Sequence, residues 1–224
     1  MLLFIETTSE VCSVALTDNS NLLSEQNSIE SNSHSSVLHD LIRSLFLQTN
    51  TSISNLSAVV VSEGPGSYTG LRVGTSAAKG ICMALNIPLI AVNTLKAMSL
   101  QFVKNNLVNT NVLLCPMIDA RRKEVFAGVF DLAGNEIISS SNFIIDEFFL
   151  ESLLSREILF LGNGAFKMQP FIKPNQTIFN ESIIPLAQNL IETGFQKYNR
   201  KQFENLANFE PAYLKPVFIT ERKK

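Results

Sequence analysis

The sequence has few cysteines and histidines, the residues that form disulfides and bind structural metal ions. Among 224 residues there are three cysteines and two histidines. Cys12, Cys82 and Cys115 lie in apolar stretches without C-x-x-C spacing, which favours buried free thiols over disulfides or zinc ligands. His34 and His39 are five positions apart, which turns a helix through about 500° and leaves the rings about 140° apart. We therefore expect no metal site and a reducing, cytoplasmic setting.

Strong net charge and long apolar runs are also missing. The net charge is -2, so we do not expect the chain to bind nucleic acid on its own. No run approaches the ~18 apolar residues of a membrane-spanning helix. The opening MLLFIETTSE has no basic region and too short an apolar run for a signal peptide. Hydrophobic residues make up 46% of the chain, which is enough for one large domain or two small lobes.

The most informative stretch is residues 58–85, where a glycine-rich loop joins an apolar strand to a helix. The valines at 59–61 predict a buried strand, and the sequence GPG at 64–66 ends it. In the helix that follows, Gly70, Gly74 and Ala78 are four apart and so share one side. Glycine inside a helix costs about 1 kcal/mol relative to alanine. The stripe therefore indicates either tight packing within the fold or close approach of a ligand or a second chain.

This loop does not have the spacing of the usual phosphate-binding loops. A dinucleotide fingerprint, G-x-G-x-x-G, would need glycine where the chain has Thr69, and Pro65 lacks an amide donor. The Walker pattern fails because Lys79 precedes Gly80 rather than following a glycine. A helix N-terminus can still hold an anion through its free amides, so spacing alone leaves anion binding open.

The remaining pattern predicts two groups of strands and helices. The first group is a three-stranded antiparallel meander, a helix, the strand and helix of the glycine-rich stretch, a strand, and a helix capped by Asn93 or Thr94. Outside the glycine-rich stretch, its strands are predicted at 2–5, 11–17, 22–26 and 87–92, and its first helix at 34–48. The second group has strands at 112–118, 125–130, 136–145 and 158–161, a short helix from Asp146 to 154, and a helix at 183–198.

A charged turn, residues 119–124, separates the first two strands of the second group. Its carboxylate, Asp119, stands close to Arg121 and Arg122. Such a set could orient a phosphate or an acidic group of a partner. A turn between strands is also where solvated charges are common, so both interpretations stay open.

Four segments together resemble the TsaB (YeaZ) family. They are GPGSYTGLR at 64–72, PMIDARRKEVFAGVF at 116–130, GNGA at 162–165 and PAYLK at 211–215. The resemblance implies an α/β fold of two ribonuclease-H-like lobes, as in actin, sugar kinases and Hsp70 proteins (the ASKHA superfamily), with mixed sheets flanked by helices. It places the N-terminal lobe at 1–108 and a smaller C-terminal lobe at 109–224.

The resemblance also implies a function. It suggests a noncatalytic subunit that binds and supports TsaD in threonylcarbamoyl transfer to adenosine 37 of tRNAs reading ANN codons, with the ATPase TsaE as third protein. Contact with tRNA is expected only within the complex, and a homodimer is expected through the same helical face. We predict a docking face for the partner on the first two helices. Gly74→Arg should block this docking without harming the fold. The residues of the face are His34, Leu38, Leu41, Ile42, Leu45, Gly70, Leu71, Gly74 and Ala78.

The resemblance to nucleotide-binding relatives further suggests the remnant of a phosphate site, although ordinary turns explain the same residues. The candidates are Glu6, Thr7, Thr8, Ser9, Asp119, Gly162 and Gly164. We expect no tightly bound cofactor on the isolated chain, and a nucleotide at the partner interface is left open. The alternative function is a stand-alone ATP-dependent small-molecule kinase of the same superfamily. A peptidase is disfavoured, because the chain lacks a metal-binding pair and a nucleophile-elbow motif.

Overall fold

Two five-stranded sheets form the framework of the chain, and the computed structural model describes residues 1–29, 34–106, 111–146, 149, 157–171, 179–180 and 183–215. The first sheet contains β1 (Leu2–Glu6), β2 (Cys12–Asp18), β3 (Asn21–Ser28), β4 (Ala58–Gly64) and β5 (Leu89–Asn93). Its order is β3-β2-β1-β4-β5, with antiparallel pairing from β1 to β3 and parallel pairing of β1, β4 and β5. The predicted meander is confirmed.

The second sheet repeats this topology. It contains β6 (Leu113–Asp119), β7 (Glu124–Phe130), β8 (Glu136–Ile144), β9 (Ile158–Leu161) and β10 (Phe179–Asn180). Its order is β10-β9-β6-β7-β8, in which β6, β7 and β8 are antiparallel neighbours and β6, β9 and β10 are parallel. Each sheet therefore has its first strand in the centre, its hairpin partners on one side and its crossover strands on the other. This confirms the predicted pair of ribonuclease-H-like lobes with mixed sheets.

Within the described ranges, four α-helices flank the sheets: α1 (His34–Gln48), α2 (Tyr68–Leu85), α3 (Thr94–Asn105) and α4 (Ile191–Asn199). Helices α1 and α2 cover one face of the first sheet, where their apolar side chains form one core with those of β1, β2 and β4. Helix α3 contacts both sheets, because Ala97 packs on the first sheet while Leu95 and Met98 pack on the second. Its predicted cap is confirmed: the backbone N–H of Lys96 donates to Asn93 Oδ1 at 2.9 Å.

The predicted helix at 183–198 is wrong in its first part. The chain forms a 3₁₀ turn at Ala187–Leu190, and α4 begins only after it. Two side chains of the first lobe bind the amides of this turn: Ser13 Oγ accepts from Ala187 at 2.8 Å, and Glu25 Oε1 accepts from Gln188 at 3.1 Å. The distant partners thus replace the helical hydrogen bonds that the local pattern predicted.

The C-terminal segment requires a second correction, to the predicted lobe boundary. The break at 108/109 does separate the two sheets, but α4 and the turn before it pack on the first sheet, opposite α1 and α2. A Cβ added at Gly194 would lie 2.8 Å from Phe4 and 2.9 Å from Val60, so α4 lies very close to that sheet. The first lobe therefore includes residues from both ends of the chain. The helix predicted after Asp146 lies largely outside the described residues, although Phe149 N–H donates to Asp146 Oδ1 at 2.9 Å.

Candidate functional site

The glycine loop packs against the turn between β1 and β2 of its own chain. Ser67 N–H donates to the carbonyl oxygen of Thr8 at 2.7 Å, and Thr7 Oγ1 donates to the carbonyl oxygen of Gly70 at 2.8 Å. A Cβ at Gly66 would overlap the backbone of Thr8, and one at Gly70 would overlap the carbonyl oxygen of Thr7. Glycine is required at both positions because two stretches of backbone meet there. An amide that could have bound an anion is thus already paired.

The glycine stripe of α2 is buried, so its assignment to a docking face is wrong. Gly74 and Ala78 lie on the inner side of the helix, and a Cβ at Gly74 would overlap Thr7 Oγ1. Of the two explanations that the spacing left open, tight packing within the fold is the one observed. Gly74→Arg would disrupt the core instead of testing a surface.

Most apolar side chains of the predicted docking face also belong to the core. Leu38, Ile42, Leu45 and Leu71 are buried, whereas Leu41 is half-buried. They face the sheet because the apolar side of an amphipathic helix packs on the nearest apolar layer.

The two histidines have separate surroundings. His34 Nε2 lies 3.0 Å from the carbonyl oxygen of Ser9, which ties the start of α1 to the turn between β1 and β2. His39 is exposed at the rim of a surface groove. The described residues contain no cluster of three or more His, Cys, Asp or Glu side chains suited to a metal ion.

The groove lies between the outer sides of α1 and α2 and has a volume of about 680 Å³. Its floor and walls are mostly apolar or small, and its rim is polar. The residues lining it are Ser35, His39, Ile53, Arg72, Val73, Ser76, Ala77, Gly80, Ile81, Ala84 and Leu85. Nothing lies within 4 Å of a Cβ added at Gly80, so this is the glycine of α2 that faces open space. Sequence reasoning missed these residues, although Val73, Ala77, Gly80 and Ala84 also follow helical spacing.

Glu6 and the hydroxyl residues after it form a buried turn at the end of β1. Glu6, Thr7 and Thr8 are each about 1% exposed, and Thr8 N–H donates to Glu6 Oε1 at 2.6 Å. Burial raises the pKa of Glu6, and hydrogen bonds from Thr8 act in the opposite direction. These groups have the place expected of a phosphate-site remnant, but they are buried, and Glu6 Oε1 and Thr7 Oγ1 are hydrogen-bonded within the chain.

Asp119, Gly162 and Gly164 come together at the end of β6, as the hypothesis of a shared site requires. Gly164 N–H donates to the carbonyl oxygen of Met117 at 3.0 Å, and Asp119 N–H donates to Asn163 Oδ1 at 3.0 Å. The Asp119 carboxylate forms a salt bridge with Lys167. Among the residues described, no hydrogen bond joins this group to Glu6, Thr7, Thr8 or Ser9, so the structure groups the seven candidates as two sets on different sheets.

All three cysteines are buried free thiols, as predicted. Burial raises the pKa of Cys12 and Cys82 to about 11 and that of Cys115 to about 12. Thiols in this state are poor nucleophiles at neutral pH, because the thiolate is the reactive form. No helix formed by the described residues is long and apolar enough to cross a bilayer.

The sequence is similar to proteins of tRNA threonylcarbamoyladenosine biosynthesis. Residues 22–213 match the family model described as TsaD: tRNA N6-adenosine threonylcarbamoyltransferase. The chain is 29% identical over 169 residues to the tRNA threonylcarbamoyladenosine biosynthesis protein TsaB of Bacillus subtilis, covering 73% of this chain and 71% of the relative. It is 26% identical over 221 residues to TsaB of Escherichia coli, covering 96% and 94%.

A solved structure has the same fold. YeaZ from Pseudomonas aeruginosa superposes with a TM-score of 0.79 at 23% identity, covering 95% of this chain and 99% of that one. At this level of identity, the likeness concerns the fold alone.

Proposed function

Because the chain belongs to the TsaD family of tRNA N6-adenosine threonylcarbamoyltransferases, and within it to the TsaB branch, we propose that it is the noncatalytic subunit supporting a TsaD protein. The reaction is threonylcarbamoyl transfer to adenosine 37 of tRNAs that read ANN codons. TsaE would be the third protein of the system. The names of the curated relatives, which refer to tRNA threonylcarbamoyladenosine biosynthesis, support the pathway.

The groove between α1 and α2 is the observation that carries this proposal. It offers an apolar floor of small side chains with a polar rim, which is the anatomy of a protein–protein interface. Ala77, Gly80 and Ala84 would let a helix of the TsaD partner approach closely, and Val73 and Ile81 would pack beside it. A stable complex needs about 1,200–2,000 Å² of buried surface in total, so the partner would extend beyond the groove. Without that partner, we expect two copies of the chain to pair through the same groove.

The absence of activity in the isolated chain is supported by the surroundings of the first turn. Phosphoryl transfer needs exposed carboxylates and donors that can reach a metal ion and phosphates. Here Glu6 is buried, Thr7 donates to Gly70, and the amide of Ser67 donates to Thr8. These contacts favour a supporting subunit over the stand-alone kinase. A nucleotide would then bind only where the partner completes a site, and tRNA only within the complex.

The docking proposal is tested by placing an arginine in the groove. Gly80→Arg should abolish the complex with TsaD on gel filtration, because the long charged side chain would occupy the groove while the open surroundings of Gly80 leave the fold intact. Gln196→Arg on α4 adds the same side chain at an exposed position on the opposite side of the first sheet and should leave the complex unchanged. Complex formation by Gly80→Arg at wild-type concentrations would refute the assigned groove.

The kinase alternative predicts a different result. Calorimetry of the isolated chain with ATP and magnesium should show no tight binding if the chain is a supporting subunit. Tight binding with phosphate transfer to a small acceptor would favour the kinase.

A further inference from the structure

The charged turn between β6 and β7 presents three adjacent cations to solvent. Arg121, Arg122 and Lys123 are all exposed. Backbone hydrogen bonds hold the turn, since Glu124 N–H donates to the carbonyl oxygen of Arg121 at 3.1 Å and Ile145 N–H donates to that of Lys123 at 2.8 Å. Arg121 and Arg122 both have left-handed backbone conformations, with φ of 69° and 51°. We call residues 121–123 the basic turn.

The two carboxylates that flank the basic turn in the sequence form salt bridges with lysines outside it. Asp119 forms its salt bridge with Lys167, and Glu124 forms one of 2.9 Å with Lys215 and also accepts from Asn142. Within the described part of the chain, no carboxylate forms a salt bridge with any of the three cations of the turn. The turn therefore has excess positive charge on a chain whose net charge is -2.

Two partly exposed aromatic side chains are close in sequence to the lysines that bind the residues flanking the basic turn. Phe166 is 45% exposed, and its neighbour Lys167 reaches over its ring toward Asp119. Lys215 binds Glu124 and the carbonyl oxygen of Ala120, and two residues before it Tyr213 is 39% exposed. The ring of Tyr213 packs on that of Tyr68 with centroids 4.9 Å apart. Two residues of chain span at most about 7 Å, so the backbone of Tyr213 lies within that distance of Lys215.

We propose that the basic turn is where this chain contacts the phosphate backbone of tRNA in the complex, with Phe166 and Tyr213 available to unpaired bases. The proposal rests on the proposed function. Guanidinium groups fit phosphate oxygens in a bidentate manner, and exposed rings stack on bases, so exposed cations with exposed aromatic side chains on neighbouring segments favour RNA over an acidic peptide. The basic turn shares no residue with the groove between α1 and α2, so both partners can bind at once.

The test uses the complex of this chain with TsaD and an unmodified, fluorescently labelled tRNA transcript that reads an ANN codon. Arg121→Asn/Arg122→Asn removes both charges and is compatible with the fold, because asparagine adopts the left-handed conformation readily. We expect tRNA affinity to fall at least about tenfold, and the slope of log affinity against log salt to decrease by about 1–2. The matched control, Arg200→Asn/Lys201→Asn, removes two adjacent exposed cations at the end of α4 and should change neither value.

The possible outcomes are distinguishable. Gel filtration shows whether each variant still binds TsaD, which tests the proposed function independently of RNA. Unchanged tRNA affinity in an intact complex would overturn the proposal, as would an equal loss in the control. Loss of the protein complex itself would also overturn it and would indicate that the basic turn contacts an acidic surface of the partner. Weaker tRNA binding with a smaller salt slope, in a complex that still forms, supports the assignment.

Discussion

On α2, Gly74 faces the core and Gly80 faces open space, so the same substitution should change the free energy of unfolding in opposite directions. In Gly74→Ala the added Cβ overlaps Thr7 Oγ1, which donates to Gly70, so we expect the free energy of unfolding to fall by about 1–3 kcal/mol. In Gly80→Ala the methyl group has no atom within 4 Å. Because alanine favours the helix more than glycine does, the free energy of unfolding should rise by about 0.5–1 kcal/mol. Urea titration followed by circular dichroism measures both. Effects of the same sign would contradict the surroundings described for these two glycines.

The glycines also show how far the sequence could locate the site. Helical spacing places Gly70, Gly74 and Ala78 on one side of α2, but α2 has a second side of small and apolar residues, Val73, Ala77 and Ala84 among them. Spacing is the same for both sides, so it cannot tell which faces the sheet. That depends on where Thr7 and Thr8 lie after folding, and they are about sixty positions away in the sequence.

Glu6 should make stability depend on pH in a defined direction. Burial raises its pKa above the ordinary value of 4.5, so the folded state holds the proton more tightly than the unfolded state. The contribution of Glu6 to the free energy of unfolding is therefore fully present below the pKa of the unfolded state. It is lost as the pH rises through the raised pKa of the folded state. Glu6→Gln keeps the shape without the charge, so its melting temperature should exceed that of the wild type by a margin that grows from about pH 4 to pH 8.

Glu124 provides the opposite case as a control. Hydrogen bonds from Asn142 and Lys215 lower its pKa, so its contribution is present above the unfolded pKa and is lost as pH falls. The melting temperature of Glu124→Gln should therefore fall below that of the wild type at neutral pH and approach it in acid. If the difference in melting temperature between Glu6→Gln and the wild type does not change with pH, Glu6 does not titrate as described.

At the scale of the element, the basic turn should be less stable with arginine than with asparagine at positions 121 and 122. Two consecutive arginines in the left-handed region cost backbone energy that asparagine largely avoids. We expect Arg121→Asn/Arg122→Asn to raise the free energy of unfolding by up to about 1 kcal/mol, although the same variant should bind tRNA less tightly. Arg200→Asn, where φ is -84°, should bring no gain in the same urea titration. A loss of stability in the double variant would mean that the arginine side chains support the turn.

Elements held together by local interactions were predictable, and those held by distant partners were not. Helix α1 at His34–Gln48 and strand β9 at Ile158–Leu161 have the predicted bounds, because apolar periodicity and β-branched runs are local signals. The helix predicted from 183 failed because Ser13 and Glu25, far away in the sequence, bind the amides of Ala187 and Gln188. The groove was missed for the same reason, since it exists only where two helices lie side by side on a sheet.

At the scale of the whole molecule, the first lobe should not fold as the fragment 1–108. One face of its sheet, with Phe4, Val60 and Ile90, is covered by Leu190 and α4 in the intact chain. The fragment would expose this face, so we expect it to bind a hydrophobic dye and to lack a cooperative thermal transition. Joining residues 183–215 to its end through a flexible linker should restore cooperative unfolding. A fragment 1–108 that unfolds cooperatively by itself would show that α4 is dispensable.

The return of α4 to the first sheet bears on the order in which this protein matures on the ribosome. Strands β1 to β5 are synthesised before α4, so one side of their sheet stays uncovered until residues 187–199 have been translated. Until then the nascent chain exposes that apolar layer to water, where it is open to aggregation or to chaperone binding. The first lobe can therefore close only after α4 has been synthesised.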